Sequence, residues 1–152
     1  MTRQFEILNR NEKERIIEKL NEQFGITHLP FLLIKQGKER IRAYTGNLSR
    51  EELETLGETI NIETLGLYFC KIESDHLRLS HDSLSFLQDQ ITKNIIELDD
   101  EQAKEWLRGH DILLNNQTGG IVVLKHGSYL IGCGKASNGR ITNFVPKDRR
   151  IR

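Results

Sequence analysis

The chain has 152 residues, of which 37% are hydrophobic and 29% charged, and its 22 Lys and Arg residues balance 22 Asp and Glu residues. This composition suits one soluble unit or two small packed ones and excludes a disordered polyelectrolyte. A chain of this length buries roughly two thirds of its extended surface, so its core needs neither disulfides nor metal. The longest apolar runs, at 29–34 and 121–124, fall short of the ~20 residues of a membrane helix.

The N-terminal pattern predicts a helix followed by a hairpin. Asn11 and Glu14 have the spacing of a capping box, and the apolar stripe that follows them stops before Gly25. A helix of about three turns is therefore predicted. Two strand-like runs then flank Gly37, which predicts a β-hairpin over residues 31–45.

A second helix and a strand pair complete the first half of the chain. Ser49 and Glu52 repeat the capping-box spacing, which predicts a helix over residues 50–58. The aromatic and apolar run at 65–72 predicts a buried strand, and the alternation at 76–80 predicts its partner.

The second half opens with short elements. Residues 83–91 predict a short helix, and residues 94–98 predict a strand that leads into another helix. Asp99 caps this helix with Gln102 at the third position, and Gly109 ends it.

The rest of the chain is strand and turn. Four short strands are predicted, with glycine turns between them: DILLNN, IVVLK, YLIGCG and RITNFV. Their spacing indicates a small barrel or a strongly bent sheet. We therefore predict an α+β fold with an α+β unit at residues 1–80 and a mostly β unit at residues 81–152, which pack directly because no flexible linker separates them.

The basic residues concentrate at the C-terminal end. Residues 121–152 hold seven Lys and Arg residues against the single acid Asp148, a net charge of +6, while the other 120 residues are net −6. Such asymmetry is a hint of a nucleic-acid or acidic-membrane partner, and arginine binds phosphate through paired hydrogen bonds. The candidate RNA-binding residues are Lys125, Lys135, Arg140, Lys147, Arg149, Arg150 and Arg152. The alternative is a frayed, solvated terminus.

The predicted hairpin carries a second basic group. Its cations alternate with apolar residues and are expected to project from one side of the hairpin: Lys35, Lys38, Arg40 and Arg42. They form either a second RNA-binding surface or a solvated face.

No complete enzyme signature is present. Gly127 and Gly132 have the spacing of a phosphate loop, but Cys133 follows where that loop needs lysine. A Cys133 nucleophile with His126 as its base is the one catalytic pair that stays conceivable. The histidines lack metal-ligand spacing, so we predict no catalytic residue, no metal site and no cofactor.

The cysteines agree with a protein of the cytoplasm. The start of the chain shows no apolar signal segment, so Cys70 and Cys133 are expected to be reduced thiols.

Two stretches resemble known families. The segment GHDILLNNQTGGIVVLKHGSYLIGCGKASNGRITNFVPKDRRIR resembles the PUA-like C-terminal domain of Nop/Sun-type RNA 5-methylcytosine methyltransferases. It does so through Gly109, the apolar strand after it, GIVVLK, LIGCGKAS and FVPKDRR. The segment LSREELETLGETINIETLGLYFCKIESDHLRLSHDSLSFL resembles the pre-PUA half of small factors of large-subunit maturation.

The resemblance implies a pre-PUA domain packed on a PUA β-barrel that binds RNA, expected to be rRNA, in ribosome biogenesis or in support of rRNA modification. It implies no catalysis, because the methyltransferases carry their catalytic cysteines in a separate domain, so Cys70 and Cys133 do not inherit that role. RNA is expected on the basic surface of the strands and the C-terminal region.

Two other hypotheses stay open. The chain could be a protein-interaction adaptor whose partner is a pre-ribosomal assembly factor or an RNA methyltransferase, with no membrane involved. It could also be a small Cys-dependent enzyme, which requires Cys133 to react far faster than Cys70.

Overall fold

The computed structural model describes residues 5–114 and 119–152. The elements of its first half are β1 (Glu6–Ile7), α1 (Arg10–Phe24), β2 (Leu32–Gln36), β3 (Arg40–Tyr44), α2 (Arg50–Thr59), β4 (Leu67–Glu73) and β5 (His76–Leu79). They are followed by α3 (Ser83–Leu87), β6 (Ile95–Glu97), α4 (Asp100–Leu107), β7 (Ile112–Leu113), β8 (Gly120–His126), β9 (Tyr129–Ser137), β10 (Arg140–Asn143) and a 3₁₀ turn (Lys147–Arg149). The α+β class is confirmed, and Asn115 and Asn116 of the predicted strand DILLNN lie outside the described residues.

The start of α1 differs from the prediction. Asn9, and not Asn11, is the N-cap: its side chain accepts a hydrogen bond from the Glu12 backbone N–H at 2.9 Å, and Glu12 accepts one from the Asn9 N–H at 3.3 Å. The prediction was wrong because β1 was missed. β1 pairs with β2 and Leu8 donates to the Leu33 carbonyl, so the chain stays extended as far as Asn9 and helix can begin only after it.

The other predicted helix starts are confirmed. Ser49 with Glu52 and Asp99 with Gln102 each form both bonds of a capping box, at the starts of α2 and α4. The predicted hairpin is β2–β3, and β4 pairs with β5 in antiparallel fashion.

The strands form two five-stranded sheets. The first sheet has the order β1-β2-β3-β4-β5 and is antiparallel. The second sheet has the order β6-β8-β9-β10-β7 and curls into a half-barrel, as the resemblance to PUA domains implied. Among the described strands of this sheet, β6 and β8 are the one parallel pair, and they need a crossover connection, which α4 supplies together with β7.

The two sheets share one core. Leu77 of the first sheet lies in the same buried cluster as Val123 and Cys133 of the second, and α3 adds Leu84 and Leu87 between them. The direct packing that the sequence predicted follows from this shared core, because neither sheet could bury its apolar face alone.

Trp106 of α4 packs against Gly132 and Gly134 of β9, where the strand has no side chains on the face toward the helix. The indole is fully buried, and its Nε1 donates a hydrogen bond to the Ile131 carbonyl at 3.0 Å. A Cβ atom on Gly132 would overlap the indole nitrogen, and one on Gly134 would lie 2.7 Å from the far end of the ring. The two glycines of the sequence GCG therefore make room for the largest side chain of the core.

We expect Gly134→Ala to lower the free energy of unfolding by about 1–3 kcal/mol, the usual effect of overpacking a dense core. The added methyl group would lie 2.6 Å from Ile141 Cγ2 and 2.8 Å from the Thr142 carbonyl oxygen. Urea denaturation monitored by Trp106 fluorescence measures the change.

Gly119→Ala is the matched control for this substitution. A Cβ atom there meets nothing closer than the Ala136 carbonyl oxygen at 4.0 Å, so we expect a change within about 0.5 kcal/mol. Equal unfolding midpoints for the two variants would contradict the close packing of Trp106 against Gly134.

Candidate nucleic-acid interface

The arginine-rich C-terminal segment is folded against the protein. The Ile151 N–H donates to the Leu107 carbonyl at the end of α4, with an N···O distance of 2.9 Å. The Arg149 guanidinium lies 3.1 Å from the Asp82 carboxylate, just before α3. Arg150 lies over Gly109, where no side chain could fit, and its Nε donates to the Val145 carbonyl at 3.1 Å. The alternative of a frayed terminus therefore does not describe this segment.

Asn143 at the end of β10 organises the turn into the C-terminal segment. Its side-chain amide donates to the carbonyls of Trp106 and His110, at 2.7 and 2.9 Å. Its side-chain oxygen accepts from the Val145 N–H at 2.7 Å, and its own N–H donates to Asp111 at 2.9 Å. One residue thereby joins the end of α4, β10 and the tail, because an Asn side chain is both donor and acceptor.

The seven predicted RNA-binding residues divide into two groups. Three of them make contacts inside the protein: Arg140 with Asp111 at 3.4 Å, Arg149 with Asp82, and Arg150 with the Val145 carbonyl. Within residues 5–114 and 119–152, no hydrogen bond or ion pair occupies the other four side chains, which are those of Lys125, Lys135, Lys147 and Arg152. The unoccupied cations are the ones that a phosphate can reach without breaking a contact.

Two of the seven share a face of the second sheet. Lys135 of β9 is opposite Thr142 of β10, and Arg140 is opposite Ser137. Because alternate residues of a strand lie on the same face, Lys135 and Arg140 both lie on the face opposite the buried Ala136. Lys125 is half-buried near the end of β8, beside Glu97 of β6.

The second predicted group does not lie on one side of the hairpin, so that prediction was wrong. Gln36 pairs with Arg40, and therefore even-numbered residues of both strands share one face and odd-numbered residues share the other. Lys35 pairs with Ile41 and lies on the face beneath α1, whereas Arg40 and Arg42 lie on the opposite face. Lys38 is exposed in the turn between the strands.

Arg42 has a structural contact that the sequence did not indicate. Its guanidinium donates to the Leu65 carbonyl at 3.1 Å and to the Gly66 carbonyl at 2.6 Å. Gly66 has a φ of +80°, and a Cβ atom there would overlap the Ala43 carbonyl, so only glycine fits at this point. Arg42 therefore holds this loop through the Nε and one Nη of its guanidinium.

Sequence reasoning missed two cations on the first sheet. Lys71 is opposite Arg40 in β3 and Arg78 in β5, so the three form a row across the sheet. The Arg78 guanidinium lies 4.1 Å from the centre of the Phe144 ring and 3.2 Å from Glu73. The alternation of Leu77, Arg78 and Leu79 indicated that Arg78 points away from the core, but not that it meets the end of β10.

The conceivable catalytic pair is not assembled. Cys133 is buried in the core shared by the two sheets, and burial raises the pKa of its thiol to about 12. Burial also raises the pKa of the Cys70 thiol. The imidazole of His126 is engaged elsewhere, with its Nε2 at 2.8 Å from the Asp100 carboxylate. A thiol with a raised pKa is a poor nucleophile at neutral pH.

We expect neither Cys70 nor Cys133 to react with iodoacetamide in the folded protein at neutral pH, because both thiols are buried and protonated. Both should label in urea, which is the internal control, and mass spectrometry of the tryptic peptides measures each site. Rapid labelling of native Cys133 alone would support the Cys-dependent enzyme instead.

Within the described part of the chain, none of the helices is both long and apolar enough to cross a membrane.

Comparisons with known proteins identify relatives of both halves. Residues 93–151 match the family described as the methyltransferase RsmF PUA domain. The ribosomal RNA small subunit methyltransferase F of Vibrio cholerae serotype O1 is 26% identical over 145 residues, which are 95% of this chain and 30% of the relative. That of Photobacterium profundum is 29% identical over 145 residues, which are 95% of this chain and 29% of the relative.

A third relative aligns over a shorter stretch. The ribosomal RNA small subunit methyltransferase F of Shewanella oneidensis is 30% identical over 101 residues, which are 65% of this chain and 21% of the relative. The chain thus spans about 30% of the length of the relatives that align with nearly all of it. The resemblance to the PUA domains of this methyltransferase group is thereby confirmed, over the segment 93–151 that holds six of the seven predicted RNA-binding residues.

Proposed function

We propose that this chain is a non-catalytic protein that binds rRNA, either in ribosome biogenesis or in support of rRNA modification. The observation that carries the proposal is the unoccupied set of cations on a PUA-type fold: Lys125, Lys135, Lys147 and Arg152. We also propose that residues 81–152 form the RNA-binding unit and residues 1–80 the pre-PUA unit.

Charge supplies the affinity in this proposal. Each cation that neutralises a phosphate releases a counterion, so binding weakens steeply as the salt concentration rises. Capacity for base stacking is low: Tyr129 is 72% exposed, whereas Phe144 is covered on one face by Arg78. Few stacking rings favour recognition of structured RNA by shape over recognition of long single strands.

The contacts inside the C-terminal segment decide which variants test the proposal. Replacing Arg149 or Arg150 would break an ion pair or a backbone contact, so a loss of binding could reflect a displaced tail. Lys135 and Lys147 carry no such contact among the described residues, so glutamine there removes charge and leaves the fold in place.

We expect Lys135→Gln/Lys147→Gln to reduce the slope of log K against log[salt] for rRNA fragments by about 1–2, since two phosphate contacts are lost. Filter binding across a salt series measures the slope. Lys104→Gln/Arg108→Gln is the control, because it removes the same charge from α4, where both cations pair with glutamates. Equal slopes for the two double variants, or no binding by the wild type, would contradict the proposal.

The second candidate function is that of an accessory subunit of an RNA methyltransferase. The favouring observation is an exposed apolar groove of about 360 Å³, in which Leu67 is 53% and Phe86 42% exposed beside the buried Phe31. Isolated exposed apolar side chains are common, but a groove of them marks protein contacts. Phe86→Ser should then abolish co-purification with the methyltransferase and leave the salt slope for RNA unchanged.

A further inference from the structure

A cleft of about 210 Å³ lies between α1 and one end of the first sheet. Its floor is apolar: Ile72 of β4 is part-exposed there, and the buried Ile41 and Leu77 of the two neighbouring strands lie beside it. Arg15 and Lys19 on successive turns of α1, together with Lys35 of β2, line its rim. Because of the strand register of the hairpin, Lys35 lies on the face of the sheet that packs against α1, whereas Arg40 and Arg42 lie on the opposite face.

The cations at the rim are unpaired as far as the described residues go. Among the described residues, Arg15, Lys19 and Lys35 make neither a side-chain hydrogen bond nor an ion pair. Two carboxylates lie near these cations: that of Glu12 accepts the Asn9 N–H in the capping box, and Glu6 of β1 is opposite Lys35 in the sheet. Unpaired cations around an apolar floor fit a ligand that has an apolar body and negative charge on its outside.

A second cleft lies next to the first one and is lined by acidic residues. It shares Lys19 with the first cleft and leads past Gln23 to the start of β8, but Glu22 and Asp75 line it. Of these two clefts, only the first has more cations than carboxylates along its lining. That cleft is smaller than the ~300–1,000 Å³ of sites for whole drug-sized ligands, so it suits a single ring system.

We propose that this cleft receives one unpaired nucleotide of the bound RNA. Its base lies on the apolar floor, and its flanking phosphates meet Arg15, Lys19 and Lys35. This inference rests on the proposed RNA-binding function. It adds a contact on the first sheet that includes Lys35, a residue that the sequence grouped with Lys38, Arg40 and Arg42 instead. Recognition of a base that has left the helix stack is a common way to select an RNA element.

Two RNA hairpins test the inference: one carries a single bulged uridine, and the other has the same stem without the bulge. We expect the wild type to bind the bulged hairpin about fivefold or more tightly, because the base removes apolar surface of the cleft from water. Arg15→Gln/Lys19→Gln should remove most of this preference, whereas Lys104→Gln/Arg108→Gln on α4 should retain it.

A second variant separates the base from the phosphates. Ile72→Phe fills the floor of the cleft and keeps every charge, and its half-buried position tolerates the larger side chain. It should abolish the preference for the bulge and leave affinity for the perfect stem unchanged. Thermal unfolding checks that the variant is folded.

The outcomes that overturn the inference differ from those that overturn the function. If the wild type binds RNA but Arg15→Gln/Lys19→Gln and Ile72→Phe both keep its preference for the bulge, or if the wild type shows no preference, the cleft is not a nucleotide site and the RNA-binding function stands. If the wild type binds neither hairpin nor rRNA fragments, both proposals fail. Protection of Lys19 from acetylation by an acidic peptide, but not by the bulged RNA, would assign the cleft to a protein ligand.

Discussion

The second sheet depends on the packing of the Trp106 indole against Gly132 and Gly134 of β9, which have no side chains. The indole is fully buried, and its only polar atom is paired with the Ile131 carbonyl. Because Gly132 and Gly134 have no side chains, α4 approaches the sheet closely enough for the ring to fill the half-barrel. Without this hydrogen bond, the buried indole N–H would be unsatisfied, at a cost of about 1–3 kcal/mol.

The close approach of α4 also sets the path of the C-terminal segment. Once Trp106 is seated, its carbonyl and that of His110 are within reach of the Asn143 amide, which turns the chain back along α4. Arg149 and Arg150 then hold the tail through contacts with Asp82 and the Val145 carbonyl. In the C-terminal segment, Arg149 and Arg150 therefore fix the backbone, and Lys147 and Arg152 are the cations without a contact among the described residues.

The shared core relates the two sheets, and it places cations from distant parts of the chain together. Arg78 of the first sheet meets Phe144 after β10, at the junction of the two sheets. The hairpin register sends Lys35 to the α1 side, where it joins Arg15 and Lys19. The RNA contact that we propose would therefore extend beyond residues 93–151, the segment that matches the PUA family.

The sequence by itself determined most of the helices and strands, the capping boxes of α2 and α4 and the β-rich second half, because these depend on spacing between near neighbours. It also carried the resemblance to PUA domains in short runs of residues. It misplaced the start of α1 because β1 is only two residues long and is held by pairing with β2. Only the tertiary structure decided which basic residues stay unoccupied and which share a face. In the sequence, Arg42 and Arg149 look no different from the basic residues that stay unoccupied. Their partners, the Gly66 carbonyl and the Asp82 carboxylate, come from distant parts of the chain. Strand register and packing between distant segments set those partners, and neither can be read from a local pattern.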